Sequence, residues 1–193
     1  MTDVLIPFDD AATTASVIAS TQRWLELAVI GLNLCPFAKA VHVKRQIRYA
    51  VTAATTAEEL RAELQHELEL LAQVNPDEVE TTLLIHPRAL PDFIDFSFFL
   101  READTVLRKL GHEGSLQIAS FHPSYEFADS APDDIVNCTN RSPHPMLHLL
   151  REASIDRAVA AFPDAATIYE RNIETLRRLG HDGWERLCNP DPG

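Results

Sequence analysis

Three short apolar runs, each parted from the next by a longer run of helical periodicity, constrain this chain more than any other feature. "IRYAV" (Ile47 to Val51) alternates and is β-branched or aromatic, "TTLLI" (Thr81 to Ile85) is a compact buried-strand pattern, and "SLQIASF" (Ser115 to Phe121) is a third strand. Between the first two, Thr56 and Glu59 have capping-box spacing, and Leu60, Leu64, Leu68, Leu70 and Leu71 mark a helix that stops before Asn75-Pro76. Between the second and third, Phe93, Ile94, Phe96, Phe98, Phe99, Leu100, Val106, Leu107 and Leu110 mark a helix from about Pro91 that closes at Gly111. Strand, helix, strand, helix, strand is the order of right-handed crossovers. The expected fold is therefore α/β, a small three-stranded parallel sheet with helices packed on it and additional C-terminal helices.

The flanks fill out one domain over residues 15–188. Residues 1–14 lack sustained periodicity and read as a flexible arm, with Leu5, Ile6 and Phe8 able to dock on the body. From Ser16, the apolar positions Val17, Ile18, Trp24, Leu25, Leu27, Ala28, Ile30 and Leu32 suit a buried helix of about four turns. Gly31 and Asn33 punctuate its end, and Pro36 biases Cys35 away from the helical region, placing the thiol at a chain corner. After a long polar loop, Met146, Leu147, Leu149 and Leu150 are expected to open a helix that Ile155, Ala158, Val159 and Phe162 carry on to a break at Pro163. Asp164 then caps a last helix with Ile168, Tyr169, Ile173, Leu176 and Leu179 inward, ended by Gly180. A short turn at Trp184 and Leu187 precedes a disordered tail over 189–193.

Composition excludes several function classes. Hydrophobic residues make up 46% and charged residues 24%, which suits a globular protein rather than a disordered or fibrous one. A net charge of −12 repels a phosphate backbone, so nucleic acid is not an expected partner. No apolar run approaches the roughly 20 residues of a bilayer span, and "MTDVLIPFDD" lacks the basic start and apolar core of a secretory signal. Cys35, Cys138 and Cys188 are odd in number and show neither a C-x-x-C nor a disulfide-framework spacing. Reduced thiols in the cytoplasm are the expectation, with no membrane partner and a homodimer as the base-rate assembly.

Candidate chemistry concentrates between Ala119 and Glu152. "LLIHP" and "ASFHP" end two strands in His86 and His122, which in a parallel sheet share the carboxyl edge where open α/β folds bind ligands. The plain alternative is that each histidine satisfies a loop carbonyl. Tyr125 stands close enough to His122 to share a pocket, or else anchors the loop. Asn137, Asn140 and Arg141 lead to Ser142-Pro143-His144-Pro145, a helix start whose free N–H groups, with Arg141, would hold an anion; otherwise Arg141 braces the loop against Asp133 or Asp134. On that helix His148 and Arg151 would share a face, and His144 with His148 has the spacing to chelate a metal, completed by His86, His122 or Cys35. No zinc motif is present, and no cofactor or metal is called for. Cys35 is the one cysteine with a local reason for activation, against the commoner fate of a buried structural thiol.

Four ordered segments resemble the bacterial DUF1415 family, a domain of unknown function: "GLNLCPFAKAV" (Gly31 to Val41), "TTLLIHP" (Thr81 to Pro87), "FHPSYEFA" (Phe121 to Ala128) and "TNRSPHPMLHLLRE" (Thr139 to Glu152). The resemblance runs from about Thr21 to His181 and implies a stand-alone cytosolic bacterial protein, without bringing an activity. It singles out Cys35, His122, Tyr125, Asn140, Arg141, His148 and Arg151. The family pattern often has tyrosine at the place of His144, which weakens a metal scheme that needs it.

The expectation is a small-molecule enzyme with a cysteine–histidine site. His122 with Tyr125 serves as acid or base, Cys35 as nucleophile or hydrogen-bonding thiol, and Asn140, Arg141, His148 and Arg151 bind an anionic substrate for acyl, amide or phosphoryl chemistry. A non-catalytic binding or sensor domain for an anionic metabolite or peptide is the alternative, and a metal-binding His/Cys site a further one.

Overall fold

A computed structural model describes residues 11–161 and 167–188 of the chain. Helix α1 (Ala11–Trp24) runs without a break into a π-helical turn (Leu25–Ile30), followed by α2 (Ala38–Val43), β1 (Ile47–Val51), α3 (Ala57–Gln73), β2 (Thr81–Ile85), α4 (Phe93–Lys109) and β3 (Leu116–Phe121). A 3-10 helix (Ile135–Thr139) interrupts the long loop before β4 (Met146–Arg151), α5 (Glu152–Ala161) and α6 (Ile168–Cys188). The expected arm lies outside the described residues up to position 10, with α1 taking up 11–14; the Pro163 break, the Asp164 cap and the 189–193 tail also lie outside.

Local rules account for most of these elements. Thr56 accepts from the Glu59 N–H while Glu59 reaches back to the Thr56 N–H, the reciprocal box that starts α3. Asp92 caps α4 through the N–H groups of Ile94 and Asp95. Gly111, at φ 74, ends α4, and Gly180, at φ 69, kinks α6 where the sequence suggested a stop.

The sheet corrects the expected topology. It has four strands, not three, in the order β1-β2-β4-β3, and it is mixed: β1 pairs parallel with β2, while β4 is antiparallel to both β2 and β3. Met146 to Arg151, expected to open a helix, is the strand inserted between the two. Its apolar residues are needed on both faces. Leu147 and Leu149 join Leu84 against Leu60, Leu64 and Leu68 of α3 and Phe96 and Phe99 of α4, whereas Met146 joins Leu83 and Ile85 against Val17, Trp24, Leu25 and Val29. Because β2 and β3 are both antiparallel to β4, the first three strands still share a direction. Arg48 on β1 and Glu67 on α3 form a two-pronged ion pair at 2.7 and 2.9 Å that ties the edge strand to the helical layer.

Among the described residues the second face is only half covered. α1 and its π-turn pack over the carboxyl half of the strands, and Leu34, Ile135, Cys138 and Leu176 form a smaller core that seats α6 beside them. The π-turn is closed by the Gly31 N–H on the Glu26 carbonyl at 2.9 Å. A Cβ at Gly31 would collide with the Leu27 carbonyl oxygen although the residue has ordinary helical angles, φ −62 and ψ −40. In a regular helix, replacing glycine by alanine stabilises by about 1 kcal/mol. Here Gly31→Ala should destabilise instead, by roughly 1–3 kcal/mol as an overpacking change does. Urea denaturation of the variant against the parent checks the sign.

Candidate functional site

The fold divides the residues singled out by sequence into two groups. His122, Tyr125, Asn140 and Arg141 lie together at the carboxyl edge, as expected of strands that share a direction. The polar side-chain atoms of His122, Asn140 and Arg141, however, are spent on the chain itself. His122 is 1% exposed, accepts the Ser124 N–H at Nδ1 (3.0 Å) and faces the Leu90 carbonyl through Nε2 at 3.3 Å. Its ring packs on Phe93 and Phe96, and burial holds its pKa below the ordinary histidine value. His86 is fully buried and donates from Nδ1 to the Ala89 carbonyl at 2.9 Å, leaving Nε2 without a partner among the described residues. The two strand-end histidines thus hold consecutive carbonyls of the turn into α4.

The other members brace the loop. Asn140 donates to the Ser120 carbonyl at 3.1 Å. Arg141 reaches the carbonyls of Tyr125 (3.2 Å) and Pro132 (2.7 Å), not Asp133 or Asp134, and its own carbonyl accepts the Trp24 indole N–H at 2.9 Å. Tyr125 packs its ring against Phe93 and Phe127. The anion site expected at a helix start near Ser142 does not form, because the chain there enters a strand. For the same reason His144 and His148 do not converge: His144 Nε2 meets Ser20 Oγ on α1 at 2.9 Å, and His148 Nε2 meets Thr81 Oγ1 at 2.7 Å. Among the described residues no three His, Cys, Asp or Glu side chains are placed to share a metal ion.

Cys35, His148 and Arg151 form the second group and line one large cavity of about 1110 Å³. Its floor is the amino half of the first three strands with the carboxyl half of β4, namely Ile47, Thr81, Leu83, Gln117, Ala119, His148 and Leu150, and Phe121 at the carboxyl end of β3 borders it. Trp24, Leu25 and Val29 of the α1 region wall one side, the Cys35–Val41 corner another, and Ser154, Ile155 and Ala158 of α5 a third. Charged residues gather where β1 and β2 begin: Lys44, Asp77, Glu80, Arg151 and Arg157. The cavity is thus apolar along its body and polar at one end.

Each of the three has a defined state. Burial pushes the Cys35 thiol up, only partly offset by hydrogen bonds from the Phe37 and Ala38 backbone, so it is a neutral thiol rather than an activated thiolate. Arg151 donates to the Val74 and Val79 carbonyls at 2.8 and 3.2 Å, bracing the chain between α3 and β2 while bringing its charge to the cavity. Arg157 pairs with Glu80 at 3.3 Å. His148 sits between Leu83 and Ala119, its direct partners on the neighbouring strands, and this apolar setting pushes its pKa down to about 4. Thr81, Gln117, Lys44 and Arg157 went unnoticed in the sequence. Gln117 alone left a trace, a polar residue within a strand pattern.

Fold and cavity define a mixed-sheet α/β protein with a small-molecule-sized recess on one sheet face. The chain belongs to the DUF1415 family: the family model, described as "Protein of unknown function (DUF1415)", matches residues 16–186. No curated protein and no solved structure matches the chain. No helix among the described residues is long and apolar enough to cross a membrane.

His86 and His148 both have pKa values pushed down to about 4 by burial, below the ordinary 6.5. The unfolded chain therefore takes up these two protons first as pH falls. Their contribution to stability is complete above about pH 6.5 and drains away toward pH 4, by about 3 kcal/mol for the fully buried His86 and by less for His148, which borders the cavity. Urea midpoints measured across that window should fall steeply, and His148→Gln should remove its share of the slope.

Proposed function

We propose that the cavity binds an elongated, largely apolar organic molecule carrying an anionic group at one end. The observation that carries this reading is the polarity gradient of a recess large enough for such a ligand: an apolar floor of Leu83, Ala119 and Leu150, bordered by Phe121, leading to Lys44, Arg151 and Arg157. The three cations outnumber the carboxylates of Asp77 and Glu80 at that end. Binding pockets of ordinary ligands run to about 300–1,000 Å³, so the space suits a long or bulky body rather than a small polar metabolite.

Noncovalent binding is favoured over a thiolate mechanism by the state of Cys35. A thiol with a raised pKa in an apolar wall packs against a ligand better than it attacks one. His122 and Tyr125, the acid-base candidates of the sequence, stand at the opposite edge of the sheet, with both ring nitrogens of His122 turned to the loop.

Trp24 lines the cavity, and Trp184 is the second of two tryptophans, so Trp184→Phe leaves an emission signal from the site itself. Straight-chain carboxylates of increasing length should give a saturable change in Trp24 emission with affinity rising along the series. Ala119→Phe, which fills the floor, should weaken the best ligand about tenfold or more, the equivalent of 1.4 kcal/mol. Unsaturable signals along the whole series, or unaltered affinity in Ala119→Phe, would sink the reading.

A further inference from the structure

The contact between Thr81 and His148 permits only one arrangement of protons. Thr81 Oγ1 lies 2.6 Å from the Leu149 carbonyl oxygen and 2.7 Å from His148 Nε2. A carbonyl has no proton to offer, so the single hydroxyl proton of Thr81 goes to Leu149. Toward the imidazole Thr81 can then only accept. Nε2 therefore carries the ring proton, and Nδ1 is left as a bare lone pair.

Among the described residues nothing consumes that lone pair. Nδ1 has no hydrogen-bond partner among the described residues, and the His148 side chain is only partly buried and lines the cavity. On β3 the direct partner of His148 is the small Ala119, and Phe121, two residues on, packs its ring beside the imidazole at 6.2 Å between centroids. An acceptor held in one orientation within an apolar floor favours ligands that donate to it and penalises those that cannot, since an unmet polar group in such a place costs its full desolvation.

We propose that His148 Nδ1 is a specificity-determining acceptor that reads a hydroxyl or amide N–H partway along the ligand, with Thr81 as the positioning residue that fixes the ring's tautomer. The cavity's ligand class is then an apolar chain or ring system bearing one hydrogen-bond donor over β4. The low pKa of the ring keeps the acceptor neutral and available at any pH near 7. The proposal builds on the apolar cavity of the preceding reading but needs no anionic end.

The test uses two ligand-independent and ligand-dependent readouts on the full chain. Nitrogen-15 spectra of the imidazole, assigned with His148→Gln, should show a single Nε2-protonated tautomer in the parent and in Thr81→Ser, and a mixture in Thr81→Val. A long-chain alcohol and its methyl ether, neutral probes that differ in one donor, should then be titrated against Trp24 emission in the Trp184→Phe background. The alcohol should bind about tenfold tighter to the parent and to Thr81→Ser, and this preference should vanish in His148→Leu, which has no acceptor. A parent ring protonated at Nδ1, equal binding of the two probes, or binding of neither would each overturn the proposal. An alcohol preference without any gain from a carboxylate would instead leave the donor reading standing and remove the anionic end.

Discussion

The ladder that inserts β4 between β2 and β3 is the constraint on which the rest of the molecule depends. β4 enters the sheet at its carboxyl edge and runs antiparallel to both neighbours, so it delivers Arg151 and α5 to the opposite edge. There α5 becomes a wall of the cavity. The same strand carries His148 to the middle of the floor, between Leu83 and Ala119. Open α/β sheets place ligands beyond the carboxyl ends of their strands. In this chain the returning strand and the π-turn over the carboxyl half of the face move the open space to the amino half.

What was legible in the sequence was the part governed by local chemistry. The capping box at Thr56, the Asn75-Pro76 stop, the Gly111 terminator and the first three strands all stand where their residues imply, because each is decided within a few positions. β4 was not legible for a physical reason. "MLHLLR" lies between two neighbours, and its residues alternate between the α3–α4 layer and the α1 layer and cavity, so apolar residues recur at helical as well as strand spacing. It also lacks any β-branched residue, and Leu and Met favour helices. Misreading that one strand turned His148 and Arg151 into helix neighbours and invented an anion site at Ser142. Thr81 illustrates the other limit: its role depends on a diagonal contact across the β2–β4 ladder, far apart in the chain, and nothing local announces it.

The polar richness of the loop before β4 has a structural origin. A long connection folded against a core leaves backbone donors and acceptors that helices or strands would otherwise satisfy among themselves. Asn137 is fully buried and serves the Phe127 N–H, the Ser130 hydroxyl and the Ala131 carbonyl with one side chain. Arg141, Asn140 and His122 do similar service, and Leu90, held at φ 52 outside the usual range of leucine, presents its carbonyl to His122. Clustered His, Asn and Arg side chains therefore mark the carboxyl edge as a braced junction. The floor of the cavity carries few polar side chains, Thr81, Gln117 and His148, and of these Thr81 is occupied by the Leu149 carbonyl and the His148 ring.

Magnitudes decide which part of a ligand such a cavity would hold by. Each buried methylene contributes about 0.8 kcal/mol, so a body of roughly eight methylenes supplies on the order of 6 kcal/mol. A half-exposed ion pair at the polar end adds only about 0–1 kcal/mol. The chain's −12 charge also repels an approaching anion over a Debye length of about 8 Å at physiological salt. Charge at Lys44, Arg151 and Arg157 can orient a ligand once it has entered, but it cannot be the main source of affinity. On the proposed reading the apolar floor would supply the strength of binding, and discrimination would fall to the few polar atoms within it, His148 Nδ1 among them.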